Sequence, residues 1–565
     1  MRILLLAHSF NSLTQRLYAE LAALGHELAV ELDIADSVSE EAVALFRPDL
    51  ILAPFLKRAI PASIWRAHPC WVVHPGIVGD RGPSALDWAI QNGEKEWGVT
   101  VLQAEAEMDA GPVWATAGFP MRGGRKSSLY RREVTEAALA AVTEALGKLE
   151  RGAAPVPLAG HPAARGQLRP VMKQADRAID WRRDATATIV RRIDAADGFP
   201  GVADCLFGQP CHLYDAWPEA RLKGEAGEVI ARRETALCRA TVDGAVWIGH
   251  VRRPAGADFS FKLPATLAFA AECAMVPEVP LGGWFAADYP TWQDIRYEEA
   301  AGIGFLYFDF TNGAMGTHQC QRLREAFLWA AARPTRVIIL MGGRDFWSNG
   351  IHLNLIEAAD SPADESWANI NAIDDLAEAI LRCETHLTVA AVGGNAGAGG
   401  CFLARACDEV WARAGVVLNP HYKNMGNLYG SEFWTYLLPQ RVGAAGAAAL
   451  MQHRLPMTAA ESVRLGFYDA VLPGLTFRVD VTRRATELAG TQFEARIAAK
   501  REQRRRDEQE KPLAAYRAEE LAAMRRNFYG FDPSYHVARW HFVAKSPHSW
   551  TPRHLAPHRE PAAGK

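Results

Sequence analysis

The sequence has no long hydrophobic run. Its cysteines are few, and they are not spaced in a pattern typical of a metal site or a disulfide framework. Its nine cysteines are an odd number, and none of them forms a C-x-x-C pair. This argues against a disulfide-stapled secreted domain and against a structural zinc site. We therefore expect no metal site and a reducing, cytoplasmic environment. MRILLLAHSF, at the amino terminus, has too short an apolar run for a signal peptide or a membrane span.

The sequence also has little excess charge. It contains 62 lysines and arginines against 65 aspartates and glutamates, a formal net charge of -3, so no nucleic-acid or membrane partner is expected. The 49% hydrophobic and 22% charged fractions are ordinary for a globular chain. At roughly 150 residues per domain, 565 residues predict about three or four units.

Short apolar runs alternate with helix-like stretches over the first 120 residues, which predicts a Rossmann-like parallel α/β sheet. A segment rich in Pro, Gly and Ala follows, and after it one amphipathic helix and several short strands predict a small OB-like β-barrel. A second Pro/Gly-rich connector precedes a further α/β pattern and a helical tail of mixed charge. The predicted α/β multidomain division is 1–155, 165–270, 271–295 (linker), 296–475 and 476–565.

One histidine stands where a buried strand meets a glycine-rich loop, in WVVHPGIVGDRGPSALDWAI. His74 ends the apolar run, and Asp109 lies in a later loop, MDAGPVW, just after another strand. Ligands of parallel α/β sheets bind at the carboxyl ends of strands, where Ser9 and Asn11 also lie. A histidine there can relay a proton near neutral pH. From spacing alone, a histidine at a strand end is more often structural than catalytic.

The same segment resembles the family of 10-formyltetrahydrofolate-dependent formyltransferases and hydrolases. VVHPGIVGDRGPSALDWAI and MDAGPVW match that family's motifs, and the stretch from 173 to 216 resembles the start of the small domain of methionyl-tRNA formyltransferase. The resemblance implies 10-formyltetrahydrofolate as the one-carbon donor, catalytic roles for His74 and Asp109, and Gly82 in the binding loop.

The chain departs from that family at one position. Two residues before the histidine the family has an asparagine, and this chain has Val72. Losing one such donor costs roughly 2.7 to 4 kcal/mol of transition-state stabilisation, so either another donor replaces it or the formyl group is transferred to a better nucleophile than an amine. A thiol is one, because even a small thiolate fraction attacks carbonyl carbon well, so coenzyme A is the expected acceptor.

Two glycine-dense loops mark the carboxy-terminal half: GGRDFWSNGIHLN (342–354) and VAAVGGNAGAGGCFLARACDEVW (389–411). Loops of this kind expose backbone amides, and two amides aimed at one point form an oxyanion hole. Glycine-rich turns needed only for close helix packing explain the pattern equally well at this stage.

Together the two loops resemble the crotonase, or enoyl-CoA hydratase/isomerase, superfamily over roughly 296–475. The resemblance implies coenzyme A binding, with the amides of Ile351 and Gly399 holding a thioester oxygen and Gly350 and Gly400 lining the site. Ala398 replaces the first glycine of the family's triplet.

Hydratases of that family carry two water-activating glutamates, and this chain has Phe402 and His421 at those positions. Ordinary hydration is therefore not expected. Tyr422 and Glu432 are the candidate polar groups that replace them, because burial can raise a carboxyl pKa enough for proton transfer. The alternative for Glu432 is an acid at a helix amino terminus.

The order of the two halves resembles a family of hydrogenase maturation factors. That resemblance implies formyl transfer to coenzyme A, splitting of formyl-CoA into carbon monoxide and free coenzyme A, and delivery of carbon monoxide to the iron of a nickel-iron hydrogenase through assembly proteins. Three alternatives stay open: hydrolysis of formyl-CoA to formate, formylation of an amine, and a non-catalytic scaffold that binds folate and coenzyme A.

Overall fold

The computed structural model describes residues 1–256 and 260–560. Internal contacts divide the chain into two compact units. The first unit comprises Met1–Pro254, Pro264–Glu278 and Pro547–Lys565, and the second comprises Ala255–Leu263 and Val279–Ser546. Within the described ranges, no helix is both long enough and apolar enough to cross a bilayer.

The first unit begins with a six-stranded sheet and six helices. Its strands are β1 (Arg2–Ala7), β2 (Glu27–Leu32), β3 (Leu50–Phe55), β4 (Cys70–His74), β5 (Glu96–Gln103) and β6 (Val113–Pro120). The helices are α1 (Ser12–Ala23), α2 (Asp36–Phe46), α3 (Ala62–Trp65), α4 (Ala85–Asn92), α5 (Lys126–Leu129) and α6 (Thr135–Glu150), with a π-helical turn (Tyr130–Val134) between the last two. The strand order is β2-β1-β3-β4-β5-β6.

The prediction of a wholly parallel sheet is wrong for its last two strands. Strands β1 to β4 are parallel, but β5 runs antiparallel to β4 and β6 antiparallel to β5. The segment containing α4 returns the chain to the end of the sheet where β4 stops, so that His74 pairs with Thr100. A hairpin-type loop then joins β5 to β6.

The predicted small domain follows in the same unit. It contains α7 (Gln174–Arg177), α8 (Thr186–Ala196), β7 (Val202–Leu206), β8 (Gln209–Glu219), β9 (Val229–Arg233), β10 (Ala236–Ala240), β11 (Ala245–Arg252), α9 (Ala265–Ala268) and α10 (Ala270–Cys273). The short strand β12 (Lys262–Pro264) spans the sequence boundary between the two units. The main strand order is β7-β8-β11-β10-β9, all antiparallel. In the described part of the chain β7 and β9 remain the two ends of this path, so the sheet is open where a closed barrel would pair them.

The second unit contains ten strands and ten helices in its described part. The strands are β13 (Ile295–Ala300), β14 (Ile303–Phe308), β15 (Val337–Gly342), β16 (Phe346–Ser348), β17 (Leu387–Val392), β18 (Asn395–Gly397), β19 (Glu409–Arg413), β20 (Val417–Asn419), β21 (Met457–Thr458) and β22 (Ala470–Leu472). The helices are α11 (Thr317–Ala330), α12 (Leu353–Ala358), α13 (Pro362–Leu381), α14 (Gly399–Arg405), α15 (Trp434–Gln452), α16 (Ala459–Arg464), α17 (Phe477–Leu488), α18 (Phe493–Glu510), α19 (Leu513–Tyr529) and α20 (Ser534–Ala544).

The second unit alternates its strands between two sheets, in the orders β13-β14-β15-β17-β19-β22 and β16-β18-β20-β21. Successive residues of β14 and β15 belong to two different apolar clusters: Leu306 and Leu340 to one, Phe305 and Ile339 to the other. Helices therefore cover both faces of the larger sheet, which explains why these strands read as unbroken apolar runs.

The predicted helical extension, 476–565, is an α-helical segment only as far as Ala544. The last described residues belong to the first unit and cover the free edge of β2. There the amide of Val30 donates to the carbonyl of Leu555 (2.8 Å), and the amide of Leu32 donates to Thr551 Oγ1 (3.0 Å). Edge strands need such cover, because their unpaired backbone groups otherwise bind other chains.

A buried carboxylate fastens this tail. Glu31, in β2, is inaccessible to solvent and accepts hydrogen bonds from Thr551 and from Arg559 Nε (2.7 Å), while His558 Nε2 lies 2.9 Å away. Burial raises the pKa of Glu31, but the hydrogen bonds from the tail lower it below the ordinary value. Ionised Glu31 therefore stabilises the attachment of the tail fully at pH values above the usual pKa of glutamate. This stabilisation is lost as the pH falls through the lowered pKa of Glu31.

We predict that Glu31→Gln loosens the tail, because His558 and Arg559 lose their buried counter-charge at a cost of about 1–3 kcal/mol. Tryptic cleavage at Arg553 should become roughly tenfold faster or more. The matched control is Glu41→Gln, which removes an exposed carboxylate 2.7 Å from Arg559 and should change the rate less than about twofold. Equal rates in the two variants would show that the buried carboxylate does not hold the tail.

Candidate active sites

The first candidate site forms around His74, whose imidazole lies between two carboxylates. Its Nε2 is 3.0 Å from Asp80 Oδ2, and its Nδ1 is 3.6 Å from Asp109 Oδ2. The ring and both carboxylates are almost entirely buried. One side chain thus anchors the ring while the other lies beside its second nitrogen, an arrangement suited to proton relay.

Asp80 is a residue of this site that the sequence does not reveal, because in sequence it is only one polar residue of the loop after β4. Its Oδ1 accepts a hydrogen bond from Arg169 Nε (3.1 Å), so a cation neutralises it away from the imidazole. Gly76 leaves the space this pairing needs: a Cβ there would come within 2.4 Å of His74 Nε2 and 2.7 Å of Asp80 Oδ2. The glycine two positions after the histidine was the available signal.

Asp109 reaches His74 from the loop between β5 and β6. Its backbone is left-handed (φ 55°), and its Oδ2 accepts a hydrogen bond from the amide of Gly82 (3.2 Å). The structure thus brings together three residues predicted for this site. Gly82 orients the aspartate through its amide, in addition to any contact with a ligand.

The two predicted ligand contacts in the β1–α1 loop have structural partners. Asn11 Oδ1 accepts a hydrogen bond from the amide of Thr14 (3.0 Å), which caps α1, and its Nδ2 donates to Tyr130 Oη (3.4 Å). The carbonyl of Ser9 accepts from the amide of Asn11 (2.8 Å). Val72 lies two residues before His74 on the same face of β4 and packs against the apolar cluster of the sheet.

The second candidate site lies at one edge of the smaller sheet of the second unit. Strands β16, β18 and β20 are parallel neighbours, so their carboxyl ends share an edge. The loop containing Gly350 and Ile351 follows β16, Gly399 and Gly400 follow β18, and Tyr422 follows β20. The two glycine motifs and the tyrosine are therefore adjacent although about 70 residues separate the first from the last in sequence.

Backbone contacts at this edge are too close for side chains. A Cβ on Gly350 would meet the amide nitrogen of Gly399 at 3.2 Å, and one on Gly400 would meet the carbonyl oxygen of Ser348 at 2.1 Å. Gly399 is the first residue of α14, where amides have no partner within the helix. Its amide and that of Ile351 donate to no other residue in the described part of the chain. They can therefore serve an oxyanion.

Glu432 and Tyr422 form the polar pair of this site. Tyr422 Oη donates to Glu432 Oε2 (2.5 Å), and both residues are buried. The carboxyl lies directly above Gly399, where an added Cβ would be 2.1 Å from Glu432 Oε1. Glu432 is thus directed at Tyr422 and Gly399 rather than at the first amides of α15, and the helix-acid alternative is wrong.

Burial dominates the electrostatics of this pair. It raises the pKa of Glu432 to about 8, helped by the nearby charge of Asp374 and opposed by the hydrogen bond from Tyr422. Burial also raises the pKa of Tyr422 well above its ordinary value, with the charge of Glu432 adding to the effect. The pair therefore shares one or two protons at neutral pH.

Neither position of the hydratase glutamates carries a carboxylate. Phe402 is fully buried and stacks on Tyr422, with ring centroids 5.3 Å apart and planes at 15°. His421, which directly precedes Tyr422 in sequence, is also buried. In residues 1–256 and 260–560, no group of three or more His, Cys, Asp or Glu side chains is arranged to hold a metal ion.

Family models match three parts of the chain. The formyl transferase model matches residues 23–146, the model of the formyl transferase C-terminal domain matches 171–263, and the enoyl-CoA hydratase/isomerase model matches 312–551. A methionyl-tRNA formyltransferase of Dechloromonas aromatica is 27% identical over 235 residues, which cover 41% of this chain and 74% of that protein. The predicted combination of fold classes is confirmed.

Two full-length relatives identify the family. The hydrogenase maturation factor HoxX of Bradyrhizobium diazoefficiens is 57% identical over 563 residues, 99% of this chain and 97% of that protein. The crystal structure of HypX from Aquifex aeolicus in complex with tetrahydrofolic acid superposes with a TM-score of 0.97 at 48% identity, covering 100% of both chains. With both halves matched in the same order, the chain belongs to the HoxX/HypX family of hydrogenase maturation factors.

Proposed function

We propose that the protein transfers a formyl group from 10-formyltetrahydrofolate to coenzyme A and then splits formyl-CoA into carbon monoxide and coenzyme A. The observation that carries the proposal is the buried carboxyl of Glu432, hydrogen-bonded to Tyr422 above Gly399, in a crotonase-like site that has Phe402 and His421 where hydratases have glutamates. A one-carbon site in the same chain supplies the matching thioester.

At the first site, Asp109 and His74 act on the thiol of coenzyme A. They accept its proton, so that sulfur attacks the formyl carbon and the carbon-nitrogen bond breaks, and they return a proton to the departing nitrogen. Asp80 keeps the imidazole in place through its 3.0 Å contact with Nε2. The apolar Val72 supports a thiol acceptor, since the family's amide donor is missing there.

At the second site, the amides of Ile351 and Gly399 hold the thioester oxygen. Glu432, as a carboxylate, removes the formyl proton; the carbon-hydrogen electron pair becomes the lone pair of carbon monoxide, and the carbon-sulfur pair leaves on sulfur. Glu432 then returns the same proton to sulfur, while Tyr422 donates a hydrogen bond to the carboxyl. Atoms and charge balance with no oxidant or water.

Exclusion of water decides between carbon monoxide and formate, because hydrolysis of the same thioester gives formate. Aromatic side chains surround Glu432: Phe402, Tyr422 and Phe433 are all buried. This lining supports decarbonylation over hydrolysis.

We propose that the carbon monoxide becomes a ligand of the iron of a nickel-iron hydrogenase, and that assembly proteins of that hydrogenase receive it. The support is that the chain's relatives are named hydrogenase maturation factors. We place the reaction in the cytoplasm, since the nine cysteines are free thiols and such thiols persist in reducing compartments.

The test is incubation of the purified protein with coenzyme A and 10-formyltetrahydrofolate carrying carbon-13 in the formyl group. We expect labelled carbon monoxide, trapped by a reduced haem protein, and its yield should require coenzyme A. Label recovered as formate would support the hydrolytic alternative. A labelled amine product would support amine formylation. If no labelled product forms, the alternative of a non-catalytic scaffold is supported.

We predict that His74→Ala and Asp109→Asn each lower formyl-CoA formation by roughly 10²- to 10⁴-fold, because each removes a group that moves the thiol proton. Both variants should still release carbon monoxide from formyl-CoA added directly. The matched control is His548→Ala, an exposed histidine, which should behave as wild type. Loss of carbon monoxide from added formyl-CoA would contradict the division into two sites.

We predict that Glu432→Gln lowers carbon monoxide release from added formyl-CoA by roughly 10²- to 10⁴-fold, and Tyr422→Phe by about 10²-fold. Wild-type release should rise with pH, pass through half of its maximum at about pH 8, the pKa of the buried Glu432, and level off at higher pH, because the carboxylate is the active form. Tyr429→Phe, with 40% of that tyrosine exposed, is the control. Full activity of both active-site variants would exclude this assignment of roles.

A further inference from the structure

Glu432 and Phe433 form an unusual turn that must be held by other residues. Their φ angles are 59° and 60°, a left-handed conformation that bulky L residues rarely adopt. The turn directs the carboxyl of Glu432 over Gly399 and then begins α15. Glycine would adopt it without strain, so keeping side chains here requires support from the surroundings.

Two buried carboxylates from distant parts of the chain bind the backbone of this turn. Asp374, in α13, accepts a hydrogen bond from the amide of Glu432 (2.9 Å) and from Ser431 Oγ (2.8 Å). Glu520, in α19, accepts from the amides of Phe433 (3.0 Å) and Thr435 (2.8 Å). Both carboxylates are inaccessible to solvent.

The surroundings of Glu432 contain few positive charges. The ionisable groups that face it are Tyr422, Asp374, Glu520 and the buried thiol of Cys320. The positive charge of Arg517 acts on Asp374, and the ion pairs of Arg517, 2.7 and 3.0 Å, are with Asp375 and Glu378. The carboxylate of Asp374 consequently opposes ionisation of Glu432, in the same direction as burial.

We propose that Asp374 and Glu520 are positioning residues of the second active site, which hold the turn at 432–433 so that the carboxyl of Glu432 lies over Gly399. Asp374 has a second effect, because its charge makes the neighbouring carboxylate a stronger base. The inference rests on the proposed function of Glu432. It also makes α19, outside the predicted crotonase-like domain, part of that site.

A purely structural role of Asp374 and Glu520 would have different measurable effects from a positioning role. If the two carboxylates only capped the start of α15, removing them would lower the unfolding temperature and leave the pH dependence of catalysis unchanged. A positioning role, by contrast, changes the proton affinity or the placement of Glu432. The pH profile therefore separates the two.

The first variant is Asp374→Asn, which removes the charge but keeps the shape. The amide oxygen can still accept from the amide of Glu432, and the amide nitrogen can donate to Ser431 Oγ. With formyl-CoA as substrate, we expect the acid limb of kcat for carbon monoxide release to move about one unit to lower pH. The plateau should fall, since Glu432 becomes a weaker base, while KM stays within about twofold.

The second variant is Glu520→Gln, which removes an acceptor from the turn. Burial raises the pKa of Glu520 to about 8, and the charge of Glu520 adds less than that of Asp374 to the raised pKa of Glu432. We therefore expect kcat to fall about tenfold or more, with the acid limb moving to lower pH by less than it does in Asp374→Asn. Asp375→Asn is the matched control: it lies next to Asp374 on the same helix, with its side chain 48% exposed, and should leave both kcat and the limb unchanged.

The outcomes separate the inference from the function on which it rests. If wild type releases no carbon monoxide from formyl-CoA, the proposed function fails. If wild type is active and Asp374→Asn has the same acid limb as Asp375→Asn, the inference is overturned. Should Asp374→Asn fail to fold, Glu520→Gln decides: a large loss of kcat in a folded protein supports positioning, and wild-type kcat overturns it.

Discussion

The chemistry of the second unit depends on how closely a carboxyl can approach a bare backbone. The space above the Cα of Gly399 is filled by Glu432, at a distance that leaves no room for a methyl group. This contact fixes where an oxyanion held by the Gly399 amide must lie relative to the carboxyl. Gly350 and Gly400 are required at the same edge for a different reason, because backbone atoms of Gly399 and Ser348 approach them closely.

The two sites surround a buried proton-transfer group with different charges. His74 lies between two carboxylates, and a cation balances the one that anchors it. Glu432 has carboxylates for neighbours, and the charge of one of them, Asp374, opposes its ionisation. The surroundings of Glu432 favour a neutral acid that becomes a strong base when it ionises. One chain thus combines two acid-base sites with different electrostatic environments.

Sequence alone predicted the fold classes and the residues at strand ends, because apolar runs and glycine loops are local signals. It did not predict the direction of β5, which depends on where α4 returns the chain. Asp80 was visible as a loop residue, but its contact with His74 depends on a tight turn around Gly76. Asp374 and Glu520 were not predicted at all, since one carboxylate within a long helix gives no sign of reaching a turn 58 or 87 residues away.

The tail that covers β2 has a consequence for how the gene can be divided. The first unit is assembled from three separate stretches of sequence, the last of them at the carboxy terminus. A protein cut after its small domain would leave Glu31 buried with no donors and the sheet with an open edge. A single break in the reading frame therefore cannot divide the chain into its two units.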